Sequence, residues 1–389
     1  MEVQFGLGPR KLLQGVLGKD VKADLIIKAL EQCDQYRLRT IPKKSGGLRK
    51  LYVPPANLKQ LQKMILKRFF CHFNDKISLS AHGFISKRSI LTNANSHRDK
   101  KWKYVIRLDL KNAFPSVKSE TIKEIFKGYL LPEINDYAEQ YRERKRYPKK
   151  WYRKIYHKHP IFPTRRVRWF RRLIINHPSS EQPKDIILRF IDLLAKLTTY
   201  QNKLPQGAPT SPFLLNLVIS HLGIPETISK ELDGLGFEHV LTIYADDLVI
   251  STKKEMPLGI IDGIMTVIES SGVFRVNREK TIHFDRKQID PLITGLRIVK
   301  NFNTKGKRLT DKVTVPKQKI LAIRSLIHKA TVSPNEERDK RVAGHIAFLK
   351  GIYCEPDYYG RLALNSLPSA IMKPYRKYLD SIKTRDLNI

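Results

Sequence analysis

The sequence predicts an α+β fold. Three observations carry that prediction. Runs of strand formers occur, as in KYVIRLDL (103–110) and LTIYADDLVIS (241–251). Apolar residues at helical spacing occur elsewhere, as at Ile261, Ile264, Met265 and Ile268. Strands and helices are mixed irregularly along the chain, without a repeat or a low-complexity linker.

Each element has its own signal. Residues 1–40 read as helical, since Leu12, Leu13, Val16 and Leu17 keep helical spacing and Leu25, Ile26, Ile27 and Leu30 do so again. In IPKKSGGLRKLYVPP (41–55), two short strand-like runs flank Ser45-Gly46-Gly47, a hairpin signal. Residues 56–76 return to helix, and 103–110 form a strand. Residues 118–200 are mostly helical and strongly basic. PFLLNLVISHL (212–222) is an apolar helix. LTIYADDLVIS is a hairpin with Asp246 and Asp247 at its turn. The helix carrying Ile261 and Ile268 stops at Gly272. FRVN (274–277) and IHF (282–284) read as further strands. From about 315, basic and apolar residues alternate at helical spacing.

The 389 residues suffice for two or three domains, and a hydrophobic fraction of 41% fits a globular chain. The charge is the unusual quantity: 73 Lys and Arg against 37 Asp and Glu leave +36. Such self-repulsion calls for a large polyanion, nucleic acid before a membrane surface. Cys33, Cys71 and Cys354 lie far apart, without metal-ligand spacing, and read as reduced thiols. The N-terminus has no cleavage-site pattern, and no apolar run approaches the ~20 residues of a membrane span. The expectation is a soluble, cytoplasmic protein with no membrane contact.

Asp246 and Asp247 lie inside a run that otherwise suits a buried strand, and Asp109 ends another such run. Desolvated neighbouring carboxylates repel. If the strands are neighbours, the carboxylates converge, and magnesium ions would relieve the repulsion. Two ions ~3.5–4 Å apart can clamp an in-line displacement at phosphorus. By itself the pair reads more readily as an exposed acidic hairpin tip than as a metal site.

Further motifs surround it. Tyr244-Ala245-Asp246-Asp247 resembles the YxDD box of reverse transcriptases. Asp109 through Phe114 resembles that family's first palm motif, and Leu204-Pro205-Gln206-Gly207 with Ser211-Pro212 resembles its LPQG…SP motif. Val276 through Thr281 is similar to its LNxxKT motif. All stand in the family's order, over roughly residues 40–300. The resemblance implies a right-hand polymerase, with fingers and palm in 1–298, including a basic insertion at about 118–200, and a helical thumb in 299–389. It implies RNA-templated DNA synthesis with two Mg2+ ions held by Asp109, Asp246 and Asp247. Asp247 is the least secure ligand, because adjacent strand residues point oppositely.

For the dNTP, the resemblance implies a fingers hairpin in which Lys44 and Arg49 bind phosphate oxygens, and Arg88 at a nucleotide-holding position. Phe114 would lie under the incoming sugar and exclude a 2′-hydroxyl. Gln206 precedes a glycine that lets backbone approach the template–primer. Lys280 is similar to a lysine beside the leaving pyrophosphate.

Asn93-Ala94-Asn95-Ser96-His97 fits the NAxxH pattern of retron reverse transcriptases, and Ile293-Thr294-Gly295 resembles their VTG motif. A retron enzyme would bind a cognate structured non-coding RNA, with Asn93 and His97 among its contacts. An RNA 2′-hydroxyl would prime synthesis of the branched RNA–DNA called msDNA. A separate effector protein and a role in antiphage defence are implied. Other readings are a non-retron defence enzyme, protein-primed or untemplated, an RNA-binding relic, and an RNA polymerase, which Phe114 disfavours.

The stretch from Asp109 to Gln206 is longer than compact members need. Residues 141–173 hold 14 Lys and Arg against Glu143 alone. Arg144, Lys149, Lys150, Arg153, Arg165, Arg166 and Arg168 would meet phosphates, and Trp151 a base. Lys317 and Lys319 of the thumb would grip duplex or RNA stems.

Overall fold

The computed structural model describes residues 8–42, 46–146, 183–304, 306, 309–353 and 367–386. It is an α+β structure. The helix expected over 1–40 is two short ones, α1 (Pro9–Leu17) and α2 (Ala23–Glu31), separated at Gly18, whose φ is +115°. The chain is already extended by Arg37. Strands β1 (Arg37–Pro42) and β2 (Leu48–Val53) form an antiparallel hairpin, with Arg37 opposite Val53 and Pro42 opposite Leu48. Helix α3 (Ala56–Arg68) continues into a 3-10 segment (Phe70–Lys76), and a Ser89–Thr92 capping box starts α4 (Ile90–Ser96).

The central sheet holds β3 (Tyr104–Asp109), β4 (His239–Tyr244), β5 (Asp247–Thr252) and β6 (Ile282–Asp285). Its order is β4-β5-β3-β6, and every pair is antiparallel. FRVN is not a strand. Its only ladder contact is a single bridge from Val276 to Leu110. Between β3 and β4 come α5 (Ala113–Ser116), α6 (Ser119–Arg146), α7 (Pro183–Thr198), α8 (Ser211–His221) and α9 (Ile224–Gly234). After β5 comes α10 (Leu258–Ser270), which buries Ile261, Ile264, Met265 and Ile268.

Alternation along β3 sorts its side chains onto two faces. Ile106 and Leu108 belong to the main core, beneath which Phe69, Phe70 and Phe73 pack against Phe126 of α6, Phe190 of α7 and Phe213 of α8. Val105, Arg107 and Asp109 lie on the other face. There Val105 packs with Val249, Ile293 and Ile298. The last two belong to β7 (Leu292–Ile293) and β8 (Leu296–Val299), which with β9 (Lys312–Thr314) form a small antiparallel sheet.

Among the described residues three helices follow: α11 (Lys317–Val332), α12 (Glu336–Tyr353) and α13 (Ser369–Asp386). Their shared core of Ile323, Ile327, Val342, Ile346 and Ile371 also takes in Leu296 of β8 and Ala94 of α4. A buried ion pair, Arg286 with Asp311, ties the end of β6 to the segment before β9. The same guanidinium donates to the carbonyls of His97, Asp99 and Trp102.

Candidate active site

The β4–β5 hairpin turns through Ala245 and Asp246, because Tyr244 is opposite Asp247 in the ladder. Ala245 has φ +58°, a left-handed conformation that costs a non-glycine residue about 1 kcal/mol or more. Neighbouring chain over-determines it. Ile243 donates to Ser80 and accepts from His82, both at 2.7 Å, and Leu110 N–H donates to Asp246 O at 2.8 Å. Gly83 lies so near that a Cβ there would be 3.0 Å from Ala245 N. Asn216 of α8 pins Gly83 by donating to its carbonyl at 2.7 Å.

Asp247 is the register partner of Asp109 across β3 and β5. Directly opposite residues share a face, so both carboxylates are on the exposed side of the sheet. Asp246 stands in the turn beside them. All three line one cleft of about 820 Å3 together with Arg49, Arg107, Phe114, Gln206, Asn277 and Lys280. Burial raises the Asp246 carboxyl above the ordinary aspartate range, and Asp109 adds to the rise. Burial pushes Asp247 up to about 6, with Asp246 the next cause, while Arg107 and Lys280 pull against it. Asp109 Oδ2 accepts from Lys280 Nζ at 3.2 Å and Asn277 Nδ2 at 3.3 Å.

This donor set suits a hard divalent cation. Three carboxylates supply anionic oxygens, and burial with mutual repulsion holds two of them above the ordinary range despite nearby cations. Among the described residues, no three acidic, His or Cys side chains are drawn together closely enough to chelate an ion as they stand. Asp109 is engaged by Lys280 instead. The residues therefore fit in chemistry and neighbourhood, and their side chains would draw together around an ion.

The remaining dNTP candidates divide. Arg49 reaches the cleft from β2. Phe114 enters from α5, packed partly against the main core. Gln206 is fixed from the far side, where its carbonyl accepts from Tyr52 N–H at 2.8 Å. Gly207 follows at φ +128°, and a Cβ there would meet Tyr52 O at 2.8 Å. The fingers strand and the LPQG loop thus meet at a position that admits only glycine.

Arg88 stands elsewhere. Its guanidinium donates to the carbonyls of Ser78, Leu79 and Ala81, so it braces the loop beside the hairpin rather than facing a triphosphate. Asn93 and His97 are corrected too. Both are fully buried, out of reach of a nucleic acid. Asn93 donates to Thr294 Oγ1, and His97 bridges Ser251 Oγ and Thr242 Oγ1 at 2.7 Å each. They dock α4 onto the sheet and the β7–β8 turn. Lys317 is exposed at the start of α11, and Lys319 Nζ lies 3.7 Å from the centre of the Phe348 ring. Lys44, Lys149, Lys150, Trp151, Arg153, Arg165, Arg166 and Arg168 lie outside the described residues, as does the Arg144 side chain.

Sequence reasoning passed over Arg107 and Asn277. For Arg107 a signal existed: a cation in an apolar strand, two residues from Asp109 and therefore on its face.

Residues 41–296 match the family described as "Reverse transcriptase (RNA-dependent DNA polymerase)". The chain is 25% identical to the retron Ec73 reverse transcriptase of Escherichia coli over 347 residues, covering 88% of this chain and 87% of that one. It is 27% identical to the retron Mx162 reverse transcriptase of Myxococcus xanthus over 336 residues, 83% and 59% of the two chains. Among solved structures, telomerase from Candida albicans in complex with a fragment of telomeric RNA aligns at 11% identity and TM-score 0.46, over 91% of this chain and 56% of that one. A likeness so remote carries no argument.

Proposed function

Because the chain belongs to the reverse transcriptase (RNA-dependent DNA polymerase) family, and to its bacterial retron type, we propose that it copies a cognate structured RNA into msDNA. An RNA 2′-hydroxyl serves as primer, and the branched product acts with an effector protein in antiphage defence. The observation that supports this most is the single cleft joining Asp109, Asp246 and Asp247 to Phe114, Gln206 and Arg49.

Each residue has a task. Asp109, Asp246 and Asp247 would hold Mg2+, which when bound supplies charge neutralisation for phosphoryl transfer. Arg49 binds triphosphate oxygens, its planar fork matching two of them. Lys280 carries its charge and protons beside Asp109 and can donate to the departing pyrophosphate. Phe114 closes the sugar site against a 2′-hydroxyl. Gln206 and Gly207 present backbone to the template–primer. The catalytic half is assigned to residues 1–298 and the helical thumb to 299–389. Lys317 and Lys319 of the thumb contact RNA, as do Arg144, Lys149, Lys150, Trp151, Arg153, Arg165, Arg166 and Arg168. Among the described residues no helix is long and apolar enough to cross a membrane.

The test is expression with the flanking genomic DNA, followed by extraction of nucleic acid. A short DNA that RNase shortens without destroying is expected, and it disappears in the Asp246→Ala plus Asp247→Ala variant. Polymerase-dependent DNA without an RNA branch would refute RNA priming. No DNA from soluble protein would refute the msDNA reading.

A further inference from the structure

Among the described residues, Arg107 makes no hydrogen bond or ion pair in the cleft, although its charge acts on Asp247. Arg107 projects from the middle of β3, and its Nε is buried without a hydrogen bond. The described structure gives its guanidinium neither a hydrogen bond nor an ion pair, although three carboxylates share its cleft. An arginine that served only as their counter-ion would close onto one of them. A half-buried guanidinium on a sheet strand, its Nε without a hydrogen bond, is suited to an incoming anion.

Its position indicates which anion. On one face of β3, Val105 packs against the small sheet, Arg107 comes next, and Asp109 ends the strand. Arg107 therefore stands between the β7–β8 turn and the aspartates. A second groove, continuous with the catalytic cleft, follows that line from Thr294 and Gly295 past Arg107 to Asp246. It lacks Lys280, and its lining cations are Arg49 and Arg107. Its wall carries Tyr244 and Phe84, with ring centres 5.9 Å apart. Phe84 is 55% exposed and has φ +59°, a strained conformation for a bulky residue. Strain that presents a ring to an open groove suits a stacking surface. A groove lined by two rings, a guanidinium and the palm carboxylates matches the terminal nucleotide of a strand about to be extended.

We propose that Arg107 binds the last phosphodiester of the primer strand and so sets the primer terminus against Asp109 and Asp246. The inference rests on the polymerase reading above. The probe is an RNA template–DNA primer hybrid with a recessed 3′ end, its binding followed by fluorescence anisotropy across a salt series and its extension by single-nucleotide kinetics. Arg107→Gln should weaken hybrid binding about tenfold, the size of one charge-assisted contact. It should also lower the salt slope by about one phosphate and leave the KM for dNTP unchanged. Arg107→Lys should restore the slope. A primer whose last linkage is a neutral methylphosphonate should cost wild-type protein the same tenfold and cost Arg107→Gln nothing, a comparison independent of variant stability. Equal affinity and slope for wild type and Arg107→Gln would overturn the inference. So would a raised dNTP KM with hybrid binding intact, which would put Arg107 on the triphosphate. Wild-type protein that neither binds nor extends the hybrid would overturn the polymerase reading itself.

Discussion

Replacing His97 with glutamine should remove a defined part of the protein's acid sensitivity. His97 is fully buried, and burial pushes its pKa down to about 3. Both ring nitrogens meet hydroxyls, Ser251 Oγ and Thr242 Oγ1, which serve a neutral imidazole as donor and acceptor. The folded pKa is depressed below the unfolded value of about 6.5. Its contribution is therefore present above pH 6.5 and is lost as pH falls toward 3, since only the unfolded state takes up the proton. At pH 5 the loss relative to pH 7.5 is about 2 kcal/mol, from 1.36 kcal/mol for each pH unit below 6.5. His82, lowered to about 4 by burial, adds its own acid loss in both proteins and cancels in the comparison. Urea unfolding of wild type and His97→Gln at pH 7.5 and pH 5.0 reads the difference. The variant should be less stable at pH 7.5, by about 1–3 kcal/mol for the disturbed hydrogen bonds. Its loss between the two pH values should be smaller than the wild type's by about 2 kcal/mol. Equal losses would refute the assignment of His97 as a buried neutral histidine.

Three further outcomes follow from the site. Asp247→Asn should stabilise the metal-free protein at pH 8. The folded pKa of about 6 is raised above 3.8, so the aspartate's contribution is present below 3.8 and lost as pH rises through 6. Up to about 3 kcal/mol should be gained at pH 8 and none at pH 3.5, read as the difference in denaturant midpoint in EDTA. Gly207→Ala should destabilise by about 2 kcal/mol or more, since its Cβ would meet Tyr52 O at 2.8 Å in a left-handed backbone; chemical denaturation checks this. Phe114→Ala should lower the preference for dNTP over rNTP at least about tenfold in kcat/KM, measured by single-nucleotide incorporation, and an unchanged ratio would remove Phe114 from the sugar site.

Much of the site was legible because its residues violate local rules. Asp109 and Asp247 are acids in apolar strands, and Gly207 breaks the chain before an apolar helix, so each asks for an explanation within the sequence itself. Asn93, His97 and Arg88 looked equally functional, yet they serve the scaffold. A motif records that a residue type is required, and the requirement can be met in the interior as well as at a ligand. Only the backbone route reveals that His97 faces Ser251 and Thr242, 154 and 145 residues away. The small sheet escaped notice for a different reason. Leu292–Ile293, Leu296–Val299 and Lys312–Thr314 are too short to show periodicity, and the pairing of the last two crosses a longer connection. FRVN misled in the opposite direction: its side chains suit a strand, but its backbone bends to bring Asn277 onto Asp109.

The exposed face of the central sheet shows how these pieces combine. At its buried end, Ser251 and Thr242 are satisfied by a neutral histidine on α4, and Val105 is covered by the small sheet. One step nearer the cleft, Arg107 carries a charge without a hydrogen bond or ion pair among the described residues. At the open end, the hairpin presents Asp246 and Asp247, both raised by burial and by neighbouring carboxylates. Polarity therefore rises along one strand direction, from hydrogen-bonded hydroxyls through a fixed cation to crowded carboxylates. Folding alone gains little from the carboxylates, because desolvated, crowded like charge lowers stability. The part of the face that opposes folding is thus the part that lines the cleft, and the buried part supplies the rigidity that holds it there.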